Sequence, residues 1–143
     1  MANKEFSILL ADDDEDDCFL FVEALQEIQI ATKLTTVRNG EQLLYLLESM
    51  EEELPHVLFL DLNMPRKDGR TVLKEIKSDP VLRQIPVVVL TTSKADEDVY
   101  RSYDLGVNSY IVKPVTFEAL VDILQTLEKY WFEIVELPPI KEA

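Results

Sequence analysis

Short apolar runs alternate along the chain with segments whose apolar residues recur at helical spacing, and this alternation predicts a parallel sheet with helices on both faces. Five runs read as strands, at residues 6–11, 34–37, 57–60, 87–91 and 109–112. Three of them, Ile8-Leu9-Leu10-Ala11, Val57-Leu58-Phe59-Leu60 and Val87-Val88-Val89-Leu90, are almost wholly apolar instead of alternating. Strands covered on both sides have that pattern. Each of the three is followed by Asp or Thr, and ligands of open parallel sheets bind at the carboxyl ends of the strands. The expected fold class is therefore α/β, doubly wound.

Helical spacing covers about 16–28, 41–49, 70–78, 96–105 and 117 to about 131. In the last segment Phe117, Leu120, Val121, Leu124 and Leu127 form one apolar stripe, which predicts a core face. Asn39-Gly40, Asp68-Gly69 and Gly106 mark turns or helix ends, and Pro80 and Pro86 bracket a loop. The final stretch from Trp131 to Ile140 is rich in apolar side chains. It reads either as a helix extension folded back on its own domain or as a contact between two copies of the chain. The expected division is residues 1–130 for the domain and 131–143 for a C-terminal extension.

At 143 residues one core is expected, since a chain of this size buries about 68–70% of its unfolded surface. Charge changes the picture more. A formal net charge of −14 repels phosphate backbones and anionic lipid, so neither nucleic acid nor membrane is an expected partner. The acids are uneven, with unbroken runs at Asp12–Asp17 and Glu51–Glu53, the second reading as a solvated helix end or loop. A single cysteine, Cys18, excludes an internal disulfide and reads as a small core residue. No basic segment leads into an apolar stretch at the N-terminus and no run reaches membrane-spanning length, so the expected location is cytoplasmic.

If the first and third strands are neighbours, Asp12 and Asp13 stand beside Asp61, and three carboxylates in one crevice call for a cation. Magnesium suits such a site, because it accepts a few carboxylates and takes further ligands from water and substrate phosphate. A calcium loop is the rival: Asp12, Asp14, Asp16 and Glu23 sit at loop positions one, three, five and twelve. That reading fails at Asp17, where the loop needs glycine, and a strand-like run precedes it instead of a helix. Asp14, Asp16 and Asp17 read more simply as acids at the start of the first helix. Lys113 precedes Pro114, which holds it extended and offers a place for a cis bond. Its ammonium and the Thr91 hydroxyl could each hold a phosphoryl oxygen, so nucleophile, metal, Lys and Thr together point to phosphoryl transfer. Singly, each has a plainer reading as cap, loop or packing residue. Their joint placement at the ends of four strands is the signal.

These segments resemble the receiver domain of bacterial two-component response regulators. The matching residues are Leu10-Ala11-Asp12-Asp13, Leu60-Asp61-Leu62-Asn63-Met64-Pro65 with Asp68-Gly69, Val89-Leu90-Thr91-Thr92, and Tyr110-Ile111-Val112-Lys113-Pro114. The resemblance implies a flavodoxin-like sheet of strand order 2-1-3-4-5 with five helices, and phosphorylation of Asp61 by a sensor histidine kinase or a small phosphodonor. It also implies Mg²⁺ held by Asp13, Asp61 and the Asn63 backbone carbonyl, with Asp12 acting through water. Lys113 and Thr91 would hold phosphoryl oxygens, and Thr91 and Tyr110 would shift on phosphorylation. The Asp12–Asp17 start, the 63–69 loop and Tyr130-Trp131 are similar to the phytochrome-associated single-domain members, which implies a phytochrome as kinase.

Two other readings use the same residues. A phosphatase of the haloacid-dehalogenase type wants a second acid two residues after the nucleophile, where this chain has Asn63. A pseudo-receiver that binds partners without phosphorylation predicts loss of an acid, Thr or Lys, and all are present. The expected protein is thus a phosphoacceptor and not an enzyme acting on others, with output through a downstream protein target. A homodimer is expected on the face of the fourth helix, fifth strand and fifth helix.

Overall fold

Strands and helices alternate strictly in the computed structural model, which describes residues 6–29, 31–50 and 54–131. The order is β1 (Phe6–Ala11), α1 (Glu15–Ile28), β2 (Thr32–Val37), α2 (Gly40–Ser49), β3 (Val57–Leu60), α3 (Gly69–Ser78), β4 (Val87–Thr91), α4 (Asp96–Leu105), β5 (Ser109–Val112) and α5 (Phe117–Lys129). The acidic run at Glu51–Glu53 and the tail beyond Trp131 lie outside the described residues.

All five strands are parallel, in the order β2-β1-β3-β4-β5. Successive strand side chains point to opposite faces, and the apolar runs feed both. Leu9, Ala11, Leu58, Leu60, Val87 and Val89 pack with Leu43, Leu47, Val72, Leu73 and Ile76 from α2 and α3. Ile8, Leu10, Val57, Phe59, Val88 and Leu90 pack with Phe21, Ala24, Leu25, Leu120 and Leu124 from α1 and α5. Cys18 is buried in this second cluster, as a small core residue should be. Each large side chain fully buried this way contributes roughly 1.5–3 kcal/mol, and no charged residue interrupts β1, β3 or β4.

Local chemistry sets the helix starts. Asp14, Asn39, Asp68 and Thr116 each accept a hydrogen bond from a backbone N–H in the first turn that follows. Such caps contribute about 1 kcal/mol each. Helix α4 ends at Gly106, whose φ of 104° is the left-handed conformation glycine adopts without a Cβ penalty.

The structure departs from the sequence expectation in four places. Strand β2 begins at Thr32, because the backbone pairs with Phe6 and Ser7 although the edge strand is only partly buried. A short 3-10 turn at Leu82–Gln84 occupies the loop between the prolines. Helix α5 ends at Lys129 and widens into a π-type turn at Tyr130 and Trp131. Finally, the bond before Pro114 is trans, the form X–Pro favours by about 0.5–1 kcal/mol.

Candidate functional site

The chain passes from β1 to β2 on one side and then crosses to β3 on the other, and the crevice opened at the carboxyl ends of the adjacent strands β1 and β3 is where an open α/β sheet takes its ligand. Main-chain bonds extend the strands into it. The Asp12 N–H donates to the Val37 carbonyl at 3.0 Å, the Asp61 N–H to the Ala11 carbonyl at 2.9 Å, and the Lys113 N–H to the Thr91 carbonyl at 2.8 Å. Residues from four strand ends are thereby fixed side by side.

Asp61 is buried, with both carboxylate oxygens engaged. Its Oδ1 accepts from the Thr91 hydroxyl at 2.7 Å and the Asn63 N–H at 3.0 Å, and its Oδ2 lies 3.0 Å from the Lys113 ammonium. Lys113 Nζ also lies 2.8 Å from Asp12 Oδ2 and 2.6 Å from Asp17 Oδ2. Asp13 is exposed at the mouth, yet carboxylate oxygens of Asp12, Asp13 and Asp61 all fall within 4.8 Å of one another. The structure thus gathers Asp12, Asp13, Asp61, Thr91 and Lys113 into one cluster, with Asn63 adjoining through its backbone N–H. Tyr110 stands apart on β5: its hydroxyl donates to the Ser93 carbonyl at 2.9 Å, and its ring packs against the α2–α3 core.

Burial lifts the Asp12 carboxyl to about 6, even though Lys113 and the Asp14 N–H both favour its charged form. Lys113 moves the other way in stability terms. Burial works against its ammonium, but bonds to Asp12, Asp17 and Asp61 outweigh that and hold it above the ordinary lysine range. Both members of the pair shift upward, so the cost of burial falls on Asp12 and Lys113 stays charged. Three carboxylates, from Asp12, Asp17 and Asp61, surround this one ammonium, and Asp13 adds a fourth beside Asp12 and Asp61. An oxygen-only donor set with excess negative charge fits a hard divalent cation.

Asp17 was expected only as a helix-start acid. Its place in the first turn of α1 also aims it at Lys113, a role hidden in sequence by the five acids that precede it. A second polar group carries no signal in the sequence. Arg70 at the start of α3 grips Asp98 of α4 with two bonds of 2.7 Å, and Asp98 Oδ2 accepts from the Ser93 hydroxyl at 2.6 Å. The Arg70 guanidinium holds the Asp98 carboxyl down at about 2, with help from Ser93. The calcium-loop alternative has no geometric support: Asp14 caps α1 through its bond from the Asp17 N–H, and Glu23 is exposed within the helix.

Residues 8–125 match the model of the response regulator receiver domain. Response regulator Rcp1 of Synechocystis sp. (strain ATCC 27184 / PCC 6803 / Kazusa) is 42% identical over 135 residues, which are 92% of each chain. Among solved structures, the phosphorylated cyanobacterial phytochrome response regulator RcpA matches with a TM-score of 0.87 at 40% identity, over 94% of this chain and 99% of that one. The Mn²⁺-bound form of Rcp1 matches with a TM-score of 0.83 at 42% identity, over 92% and 98%. Sequence, topology and the strand-end cluster agree, and the chain belongs to the response regulator receiver domain family.

Proposed function

We propose that Asp61 accepts a phosphoryl group from a phosphohistidine of a sensor histidine kinase, or from a small phosphodonor, and that the phosphorylated chain signals by binding a downstream protein. The observation that carries this reading is the setting of Asp61, whose carboxylate meets the Thr91 hydroxyl and the Lys113 ammonium beside a cation-fitting acid cluster. In the transfer step an Asp61 oxygen attacks phosphorus in line. The new O–P bond forms as the N–P bond breaks, and the electron pair leaves on the imidazole nitrogen. Lys113 and Thr91 already bond the acceptor, so small movements re-aim them at phosphoryl oxygens, which suits catalysis by positioned charge. Mg²⁺ is the cation we assign to Asp12, Asp13, Asp61 and the Asn63 carbonyl; when bound it neutralises charge on the transferring group. The relative Rcp1 has been solved with Mn²⁺, which supports a divalent ion here.

Reading of the phosphate would follow through Thr91, the loop after it, and Tyr110. Driving such a switch from almost wholly off to almost wholly on needs about 5.5 kcal/mol of differential stabilisation. One hydrogen bond supplies less, so Lys113 and the cation contribute as well. Loss of the phosphoryl group by hydrolysis at the same site would reset the switch.

The kinase would dock beside the crevice, where Phe19, Leu20 and Val115 are exposed next to a cleft walled by Phe21, Pro114 and Phe117. A phytochrome kinase is favoured by the similarity to RcpA. The reading puts the chain in the cytoplasm. No helix among the described residues is long and apolar enough to cross a membrane. We read residues 1–130 as the receiver and 131–143 as an extension, although the buried Trp131 ring stacks on Phe6 and favours a boundary after it. Exposed Tyr100, Tyr103 and Val112 on α4 and β5 suit a homodimer contact.

Incubation with acetyl phosphate and Mg²⁺, followed by intact mass measurement, tests the central claim. A single phosphoryl adduct that disappears in Asp61→Asn is expected. No adduct, or one that survives the substitution, would refute it.

A further inference from the structure

Four of the five helices start on a side chain that caps its own first turn, but α4 starts on Ala95, which makes no such bond. Helix α4 also has Ser102 as its one buried residue. Apolar packing thus holds mainly its C-terminal end, where the partly buried Leu105 lies against the core, and no cap from Ala95 fixes its start. The side-chain bonds that hold its first turn meet at Asp98, from Arg70 of α3 and from Ser93 of the loop just before the helix. Arg70 Nε donates to Asp98 Oδ1 and an Arg70 terminal nitrogen donates to Oδ2, both at 2.7 Å, the two-pronged geometry of a strong arginine–carboxylate pair. The Ser93 hydroxyl donates to the same Oδ2 at 2.6 Å.

Ser93 lies two residues after Thr91. The loop following β4 is thus tied at one end to Asp61, through Thr91, and at the other to Arg70, through Asp98. The Ser93 carbonyl adds a third tie by accepting from Tyr110. Thr91 cannot carry this loop toward a phosphoryl group unless the Ser93–Asp98 bond lengthens or α4 leaves Arg70. Arg70 also leans on the acceptor loop, with weaker bonds to the Leu62 carbonyl at 3.5 Å and Asn63 Oδ1 at 3.4 Å.

We propose that Asp98, gripped by Arg70 and Ser93, is a latch that holds residues 92–98 in their resting position and limits how readily Asp61 is phosphorylated. The second half of that statement rests on the phosphoacceptor reading; the first does not. Arg70 and Asp98 are positioning residues, since neither side chain touches Asp61. Opening the latch removes a restraint that the resting arrangement has and the shifted one lacks, so latch variants spend more time shifted without phosphate.

Two measurements on the full chain test it, comparing the parent with Asp98→Asn, Arg70→Lys and Ser93→Ala. In amide hydrogen exchange of the unphosphorylated protein, residues 92–98 are expected to open at least about tenfold more often in Asp98→Asn, the change that follows from losing a charge-assisted bond. Exchange in β1 and β3 should stay as in the parent. Acetyl phosphate with Mg²⁺ should phosphorylate the variants several-fold faster, roughly in line with the opening. Unchanged exchange at 92–98, an equal rise in β1 and β3, or phosphorylation no faster than the parent would overturn the proposal. Ser93→Ala removes only a hydroxyl and carries the same readouts should the ion-pair variants misfold. If no protein in the set forms an adduct, the phosphoacceptor reading fails, and the exchange comparison still decides whether the latch exists.

Discussion

The Thr91 hydroxyl lies 2.7 Å from Oδ1 of Asp61, so the residue proposed to read a phosphoryl group is already bonded to the residue proposed to carry it. Both side chains are buried, and water cannot replace either partner readily. Thr91→Val keeps the shape and removes the donor. A hydrogen bond to a charged group contributes about 1.5–3 kcal/mol, and a loss of that order is expected in urea denaturation without divalent metal. Thr91→Ser should recover most of it.

Lys113 is the counter-charge of the whole cluster. Lys113→Met leaves Asp12 and Asp61 buried without it, and breaking a buried ion pair from one side costs about 3–5 kcal/mol. The denaturation midpoint should fall sharply in chelator and recover in saturating Mg²⁺, with a larger metal-induced gain than the parent shows. Equal gains would mean that lysine and metal do not share the site.

The raised Asp12 carboxyl makes metal binding depend on pH. Its folded-state value of about 6 stands above the ordinary 3.8, so the folded protein keeps a proton that the unfolded chain has released. Asp12 therefore favours the folded state below about 4, and this contribution is lost as pH rises through about 6. A cation needs the carboxylate, so Mg²⁺ affinity should climb from pH 5 to pH 7 and then level off. Calorimetric titration checks this. Asp98 has the opposite sign: held at about 2, it contributes stability above about 4 that disappears as pH falls toward 2.

Gly40 opens α2 directly beneath the acceptor loop. A Cβ there would run into the Lys67 carbonyl oxygen and come within 2.7 Å of Lys67 Cβ and Val72 Cγ2. Gly40→Ala should cost about 1–3 kcal/mol, as overpacking does, and weaken metal binding by shifting the loop that carries Asn63. At Gly106 the space around a Cβ is open, and only the positive φ opposes it. Gly106→Ala should cost about 1 kcal/mol and leave metal affinity alone. Denaturation and Mg²⁺ titration on both variants separate the two causes.

Light scattering of the full chain and of a version ending at Trp131 tests the dimer. A dimer that persists in the shorter chain assigns the contact to the α4–β5–α5 face, and a dimer lost there assigns it to the tail. A monomer in both would sink the proposal.

The sheet is legible because β1, β3 and β4 are covered on both faces and so carry no charged residue to blur the pattern. Strand β2 was read two residues short, since an edge strand half open to solvent keeps Thr32 and Lys33 by backbone pairing alone. Asp12, Asp13, Asp61, Thr91 and Lys113 could be found because each sits at a strand end, a place that sequence position marks. Asp17 and the Arg70–Asp98–Ser93 group could not. Their meeting depends on how α1, α3 and α4 are rotated against the sheet, and Arg70 and Asp98 lie 28 residues apart with nothing between them to announce a contact. The apolar start of the extension is legible at Trp131, but its partners are not: the ring is buried against Phe6 and Phe59, far away in sequence.

The ammonium of Lys113 gives the acid cluster a counter-charge of its own. That counter-charge is tethered by a side chain next to β5 and cannot diffuse away, so a divalent ion joining the cluster would find part of the negative charge there already balanced. The permanent positive charge therefore keeps the acids together whether or not a metal is bound.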